Sequence, residues 1–96
     1  MAIEGVYEEL RKLGSVKASS DFSENWLGMQ EGYYRGLRAK RRNPSAKALA
    51  VCAARLRRRA ELLEASTDYG IRQRGSKYAV LADRCIEALL TSYEAD

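Results

Sequence analysis

Ten of the seventeen Lys and Arg residues lie between Gly32 and Ala60, and no Asp or Glu interrupts them. They are Arg35, Arg38, Lys40, Arg41, Arg42, Lys47, Arg55, Arg57, Arg58 and Arg59. The rest of the chain carries seven basic and thirteen acidic residues, so the formal net charge of +4 hides a strongly basic segment in an acidic surround. Cations at this density repel one another, and a polyanion relieves the repulsion. The chemistry expected of the segment is therefore that of a polyanion-binding surface, the alternative being a solvated helical face with no partner. A lipid surface fits less well, because the basic run has no continuous bulky apolar face.

Other reactive residue types are sparse. The chain has no histidine, the commonest general acid and base at neutral pH. Its two cysteines, Cys52 and Cys85, are too few for a disulfide scaffold or a thiolate zinc site. Both sit in apolar helical contexts and are expected to be small buried hydrophobes. Asp83 and Glu87 lie one helical turn apart, a spacing typical of a solvated helix face. No glycine loop that cradles phosphate and no nucleophile elbow is found. No catalysis, cofactor or metal site is expected.

Ninety-six residues suffice for one domain with a modest core. Apolar residues make up 46%, which is ordinary for a folded chain. No apolar run approaches the ~20 residues of a membrane span. The N-terminal residues lack the pattern of a secretory signal, so a cytoplasmic location is expected.

Apolar spacing predicts helices throughout. Ile3, Val6, Tyr7, Leu10 and Leu13 form one stripe, and Gly14 follows as a stop. A second helix starts at Ser19-Ser20-Asp21, carries Phe22, Trp26 and Leu27, and ends at Gly28. Helical spacing resumes over Met29–Arg38, followed by a basic loop at 39–42. Asn43-Pro44-Ser45 predicts a new helix, with Asn43 as cap and Pro44 at its first position. That helix carries Leu49, Cys52, Leu56, Ala60 and Leu63 on one face. Glycine and polar residues predict a loop over 70–76. A last helix over 76–93 presents Tyr78, Leu81, Cys85 and Leu89, an apolar face expected to join a homodimer. The expected fold is all-α, with about five helices and one core that includes Phe22, Trp26, Leu27, Tyr34, Leu37, Leu49, Cys52 and Leu56.

Residues 19–56 resemble the helix-turn-helix of Cro and phage-repressor proteins. The resemblance is carried by Gly28, Met29, Tyr34, Leu37, Arg41-Arg42, Pro44-Ser45, Leu49 and Leu56 at matching intervals. One departure stands out. Glu24 occupies the place, four before the turn glycine, where that family has a small residue at the helix crossing. Phe22-Ser23 looks like the family's large-small pair displaced by one, and a one-residue insertion in the second helix or the turn reconciles the two.

The resemblance implies a small DNA-binding transcriptional regulator, acting as a homodimer. It places base-reading positions at Gln30, Glu31, Gly32 and Gly36. Gln30 suits adenine and Glu31 suits the cytosine amino group, whereas the glycines offer no side-chain readout. Gly28, Gly32 and Gly36 would form a bare stripe if the helix ran through all three. Tyr33, Arg35, Arg38, Lys40, Arg41, Arg42 and Lys47 are the candidates for phosphate contact. One rival reading is a protein-binding adaptor on a helix-turn-helix-like fold, using the glycine stripe or the arginine run with Arg55, Arg58 and Arg59 on an acidic partner, and a second is an RNA-binding protein using the same basic surface.

Overall fold

The structure, a computed structural model, describes residues 2–94. The fold is all-α, with five helices among the described residues. Helix α1 spans Ala2–Lys12, and its Ile3, Val6, Tyr7 and Leu10 are buried, as their spacing predicts. Helix α2 begins with an α-helical turn, Ser19–Asp21, and passes into a π-helical turn, Phe22–Trp26. Helix α3 spans Tyr33–Lys40, α4 spans Ala46–Glu64 and α5 spans Tyr69–Glu94. No helix among the described residues is long and apolar enough to cross a membrane.

The antiparallel pair α4–α5 is the backbone of the fold. Helix α1 lies on α5, and the π turn of α2 lies on α4. The eight residues assigned to the core from their spacing are all buried, with Leu37 the least so at 8%. Three rings join α1, α2 and α3. Tyr7 lies 5.1 Å from Phe22 and 4.7 Å from Tyr34, and Phe22 meets Tyr34 edge-on at 4.9 Å. Burial pushes the Tyr34 phenol up to about 12, so it stays neutral and apolar in use. A second pair, Trp26 and Tyr78, stacks at 6.3 Å. Trp26 Nε1 donates to the Ser15 carbonyl, and the Ser15 and Tyr78 hydroxyls bond each other.

Cys52 and Cys85 are free thiols buried where α4 meets α5. The hydrogen bond to Cys85, together with burial, pushes the Cys52 thiol up, so it acts as a packing group.

Three sequence expectations need correction. Residues 70–76 are helical, because α5 starts at Tyr69. Asp68 Oδ1 accepts the Ile71 amide at 3.1 Å, the bond an N-cap makes. Gly75 reads as a loop residue but marks a helix contact. A Cβ there would stand 2.9 Å from Glu64 Cγ and 3.0 Å from both the Glu64 nitrogen and Leu63 Cβ. At the other end of α4 the cap is Ser45, whose hydroxyl accepts the Ala48 amide at 3.1 Å. Asn43 and Pro44 lie before it. Last, Tyr78, Leu81 and Cys85 are 1%, 3% and 1% exposed within a single chain. They are core residues covered by the chain itself and cannot form a dimer contact. Leu89 is partly buried against the same core.

Candidate nucleic-acid interface

Residues 19–45 form one unit of α2, the turn after it, α3 and the loop before α4, and backbone chemistry dictates its shape. A π turn holds one more residue than the α turn it replaces. The Leu27 amide therefore bonds the Phe22 carbonyl, five residues back, at 3.0 Å. This register buries Ser23 and exposes Glu24. The small residue at the crossing of α2 and α3 is thus Ser23. Its hydroxyl accepts the Tyr34 amide at 2.9 Å and donates to the Ser19 carbonyl at 2.9 Å.

Gly28 ends α2 with φ +65. A Cβ at this position would also stand 3.0 Å from Val51 Cγ1 and 3.5 Å from the Arg55 guanidinium. Conformation and close approach to α4 both call for glycine here. Arg55 Nη1 donates to the Glu24 carbonyl at 3.0 Å, supplying a partner where α2 leaves regular helical pairing.

The chain then turns through Met29–Gly32 before α3 begins. Helix α3 starts at Tyr33, four residues later than its apolar spacing suggests. Gln30 and Glu31 therefore lie in the turn and are exposed, and Gly32 is the N-cap residue. Gly28, Gly32 and Gly36 do not form a helical stripe, because only Gly36 is inside the helix. A Cβ at Gly36 would meet nothing within 4 Å, and at Gly32 only Arg35 Nη2 at 3.8 Å.

A groove of about 580 Å³ runs along the outer side of this unit. It brings Gln30, Gly32 and Gly36 together with Tyr33, Lys40 and Arg42. Glu31, Arg35, Arg38 and Arg41 are exposed outside it, and Lys47 is exposed on the first turn of α4. Arg35, Arg38, Lys40, Arg41, Arg42 and Lys47 form no ion pair among the described residues. Arg38 lies over the Tyr34 ring, with its guanidinium carbon 5.7 Å from the centroid.

Arg41 closes α3 in the left-handed conformation, at φ 53. Its amide bonds the Arg38 and Leu37 carbonyls, and the Arg42 amide bonds the Leu37 carbonyl at 2.9 Å. Glycine is the usual residue for such a cap. A cation kept in a disfavoured conformation is a feature that sequence spacing does not reveal.

Two groups of candidates change role. The Tyr33 hydroxyl donates to Ser45 Oγ at 3.4 Å and accepts the Ser45 amide at 2.9 Å. It ties α3 to the cap of α4 and is not free for phosphate. The arginines of α4 are mostly committed within the fold. Arg55 bonds Glu24, Arg57 pairs with Asp83 at 2.9 Å, and Arg59 lies 5.9 Å from the centroids of Trp26 and Tyr78. Among the described residues Arg58 has no such partner, and Arg55, Arg58 and Arg59 stay exposed and line one groove with Asp21, Asn25 and Trp26.

No curated protein and no solved structure matches the chain. Family comparison does give a match, to DUF6626, over residues 3–96. The match takes in all five helices and the basic turn, and the chain therefore belongs to DUF6626, a family of unknown function.

Proposed function

We propose that the protein is a helix-turn-helix DNA-binding protein of the Cro and phage-repressor type, working as a small transcriptional regulator. Helix α3 and the turn before it enter the major groove, and the 41–45 loop with the start of α4 holds the backbone. The observation that carries this reading is the groove that sets Gln30, Gly32 and Gly36 beside Lys40 and Arg42. Support also comes from the π turn, which accommodates one extra residue in α2 and leaves Ser23 at the crossing with α3. The six cations without ion pairs among the described residues supply phosphate contacts, whereas the glycines at reading positions offer little discrimination among bases. The expected behaviour is strong salt dependence with weak sequence preference.

The test is fluorescence anisotropy with duplex DNA, single-stranded DNA and RNA of the same sequence at several salt concentrations. The expected result is preference for duplex DNA, with a log–log salt slope of about −5 per protomer if all six cations neutralise phosphates. No duplex binding at low salt rejects the reading. Tighter binding to RNA than to the duplex replaces it with the RNA alternative.

A further inference from the structure

We infer that the groove between α2 and the middle of α4 docks an acidic helical segment of a partner protein, through Arg55, Arg58, Arg59 and Leu62. This groove shares no residue with the one along α3, so the docking does not depend on DNA binding.

The helix period of α4 makes the surface. Arg55, Arg58 and Leu62 follow at steps of three and four, and Arg59 is four residues from Arg55, so the four side chains share one face. All four are exposed, Leu62 at 63%. They line a groove of about 450 Å³ whose other wall comes from α2, with Asp21, Asn25 and Trp26. That volume receives a few side chains rather than a whole helix.

Two of the three guanidiniums are held in place without being neutralised. Arg55 Nη1 donates to the Glu24 carbonyl at 3.0 Å, and Arg59 lies over the Trp26 and Tyr78 rings. A carbonyl and a ring orient a cation but leave its charge for an outside anion. None of the three arginines forms an ion pair among the described residues. Asp21 lines the same groove, but its carboxylate is engaged elsewhere. Asn25 Nδ2 donates to its Oδ1 and the Lys17 amide to its Oδ2, the latter at 3.0 Å, and these bonds hold the carboxyl below its usual range.

Charge and shape select the occupant. The three arginines span only about 6 Å of the α4 axis. Asp21 and the exposed Glu24 stand on the α2 side of them, and the exposed Glu61 stands on α4. A duplex, with one charge per ~1.7 Å of its axis, would run from this short cationic strip onto the acids. A free nucleotide would find no stacking platform, because Trp26 is 6% exposed and its ring stacks on Tyr78. Carboxylates are discrete charges. Two of them one turn apart on a helix match the one-turn spacing of Arg55 to Arg58 and Arg59, and an apolar residue a turn further covers Leu62. The docked segment therefore carries two acids and an apolar residue on one face.

The test is selection on the full chain from a displayed library of helical peptides of about 14 residues, roughly four turns. The peptides retained are expected to carry two acids one turn apart with an apolar residue a turn beyond. The best of them, labelled with fluorescein, is expected to bind about tenfold more tightly than a scrambled peptide of the same composition. Arg58→Glu should lose about tenfold in affinity with unchanged helical circular dichroism, and exchanging one peptide glutamate for lysine should restore most of it. Arg42→Glu, outside this groove, should bind the peptide as the wild type does. Retained peptides without paired acids, or a scrambled peptide that binds equally, overturn the proposal. So does release of the peptide by inorganic pyrophosphate as readily as by unlabelled peptide, which would leave a site for small anions only. Duplex binding that falls as far with Arg58→Glu as with Arg42→Glu would give the groove to nucleic acid. A wild-type dimer that Arg58→Glu dissociates in sedimentation equilibrium would give it to a second copy of the chain.

Discussion

The Ser23 hydroxyl sits 2.9 Å from the Tyr34 amide nitrogen, and this one bond joins α2 to α3 at their crossing. Tyr34 lies in the first turn of α3, where an amide has no partner within its own helix. Both residues are fully buried, so no water replaces the serine. Ser23→Ala is expected to cost about 1–3 kcal/mol, the desolvation penalty of an unpaired buried donor. Urea unfolding followed by circular dichroism measures it. Ser23→Ala with unchanged stability would mean that the crossing is held by apolar packing alone.

Two glycines in helices should respond to alanine with opposite signs. Gly36→Ala adds a methyl group to open space and is expected to stabilise the protein by about 0.5–1 kcal/mol. Gly75→Ala drives a methyl group to within 2.9–3.0 Å of Glu64 and Leu63 and is expected to destabilise by about 1–3 kcal/mol. Thermal unfolding of the two variants side by side checks the contrast. If α3 also packs its bare surface close to DNA, Gly36→Ala weakens duplex binding even as it stabilises the fold.

The same contrast shows what was legible in the sequence. Apolar residues at steps of three and four located every helix and the whole expected core, because that periodicity reports burial directly. Glycine was legible at Gly28, where a turn and a close approach coincide, and misled at Gly75, whose role is tertiary alone. Gly75 reads locally as a loop, yet it is needed where α5 presses on the end of α4. Similarly, the sequence shows a displaced Phe22-Ser23 pair, but only backbone geometry assigns the extra residue to a π turn. The face of Tyr78, Leu81 and Cys85 was taken for a surplus that needs a partner. Its cover comes from Trp26, Ser15 and α1, elements far away in the chain whose approach local spacing cannot express. Of the candidate site, the unpaired cations and the groove-lining Gln30 were legible by residue type. The commitments of Tyr33 to Ser45 and of Arg57 to Asp83 were not, since both are fixed by how α4 is placed.

Arg41 should show a conflict between stability and function. A non-glycine residue in the left-handed region carries a penalty on the order of 1 kcal/mol. Arg41→Gly keeps the cap geometry, removes that penalty and also removes a cation from the proposed phosphate surface. The expected outcome is a higher midpoint of unfolding together with weaker duplex binding and a shallower salt slope. Asn at the same position, which tolerates this conformation, should behave in the same way for binding. A variant that binds DNA as tightly as the wild type would show that Arg41 serves only to end α3.

Arginines from the two halves of the basic segment should separate into phosphate contacts and structural groups. Arg42 borders the groove and has no ion-pair partner among the described residues, whereas Arg57 is held at 2.9 Å by Asp83 on the hairpin. Each phosphate contact releases counterions, so losing one contact should lower the log–log salt slope by about 0.9. Arg42→Ala is therefore expected to weaken binding to every duplex alike and to reduce the slope by about one. Arg57→Ala removes an exposed pair worth at most about 1 kcal/mol and should leave both affinity and slope unchanged. Fluorescence anisotropy across a salt series reads both effects. Equal losses in the two variants would show that binding follows net charge alone. An effect confined to Arg57 would move the contact surface from α3 to the hairpin and overturn the assignment of the groove.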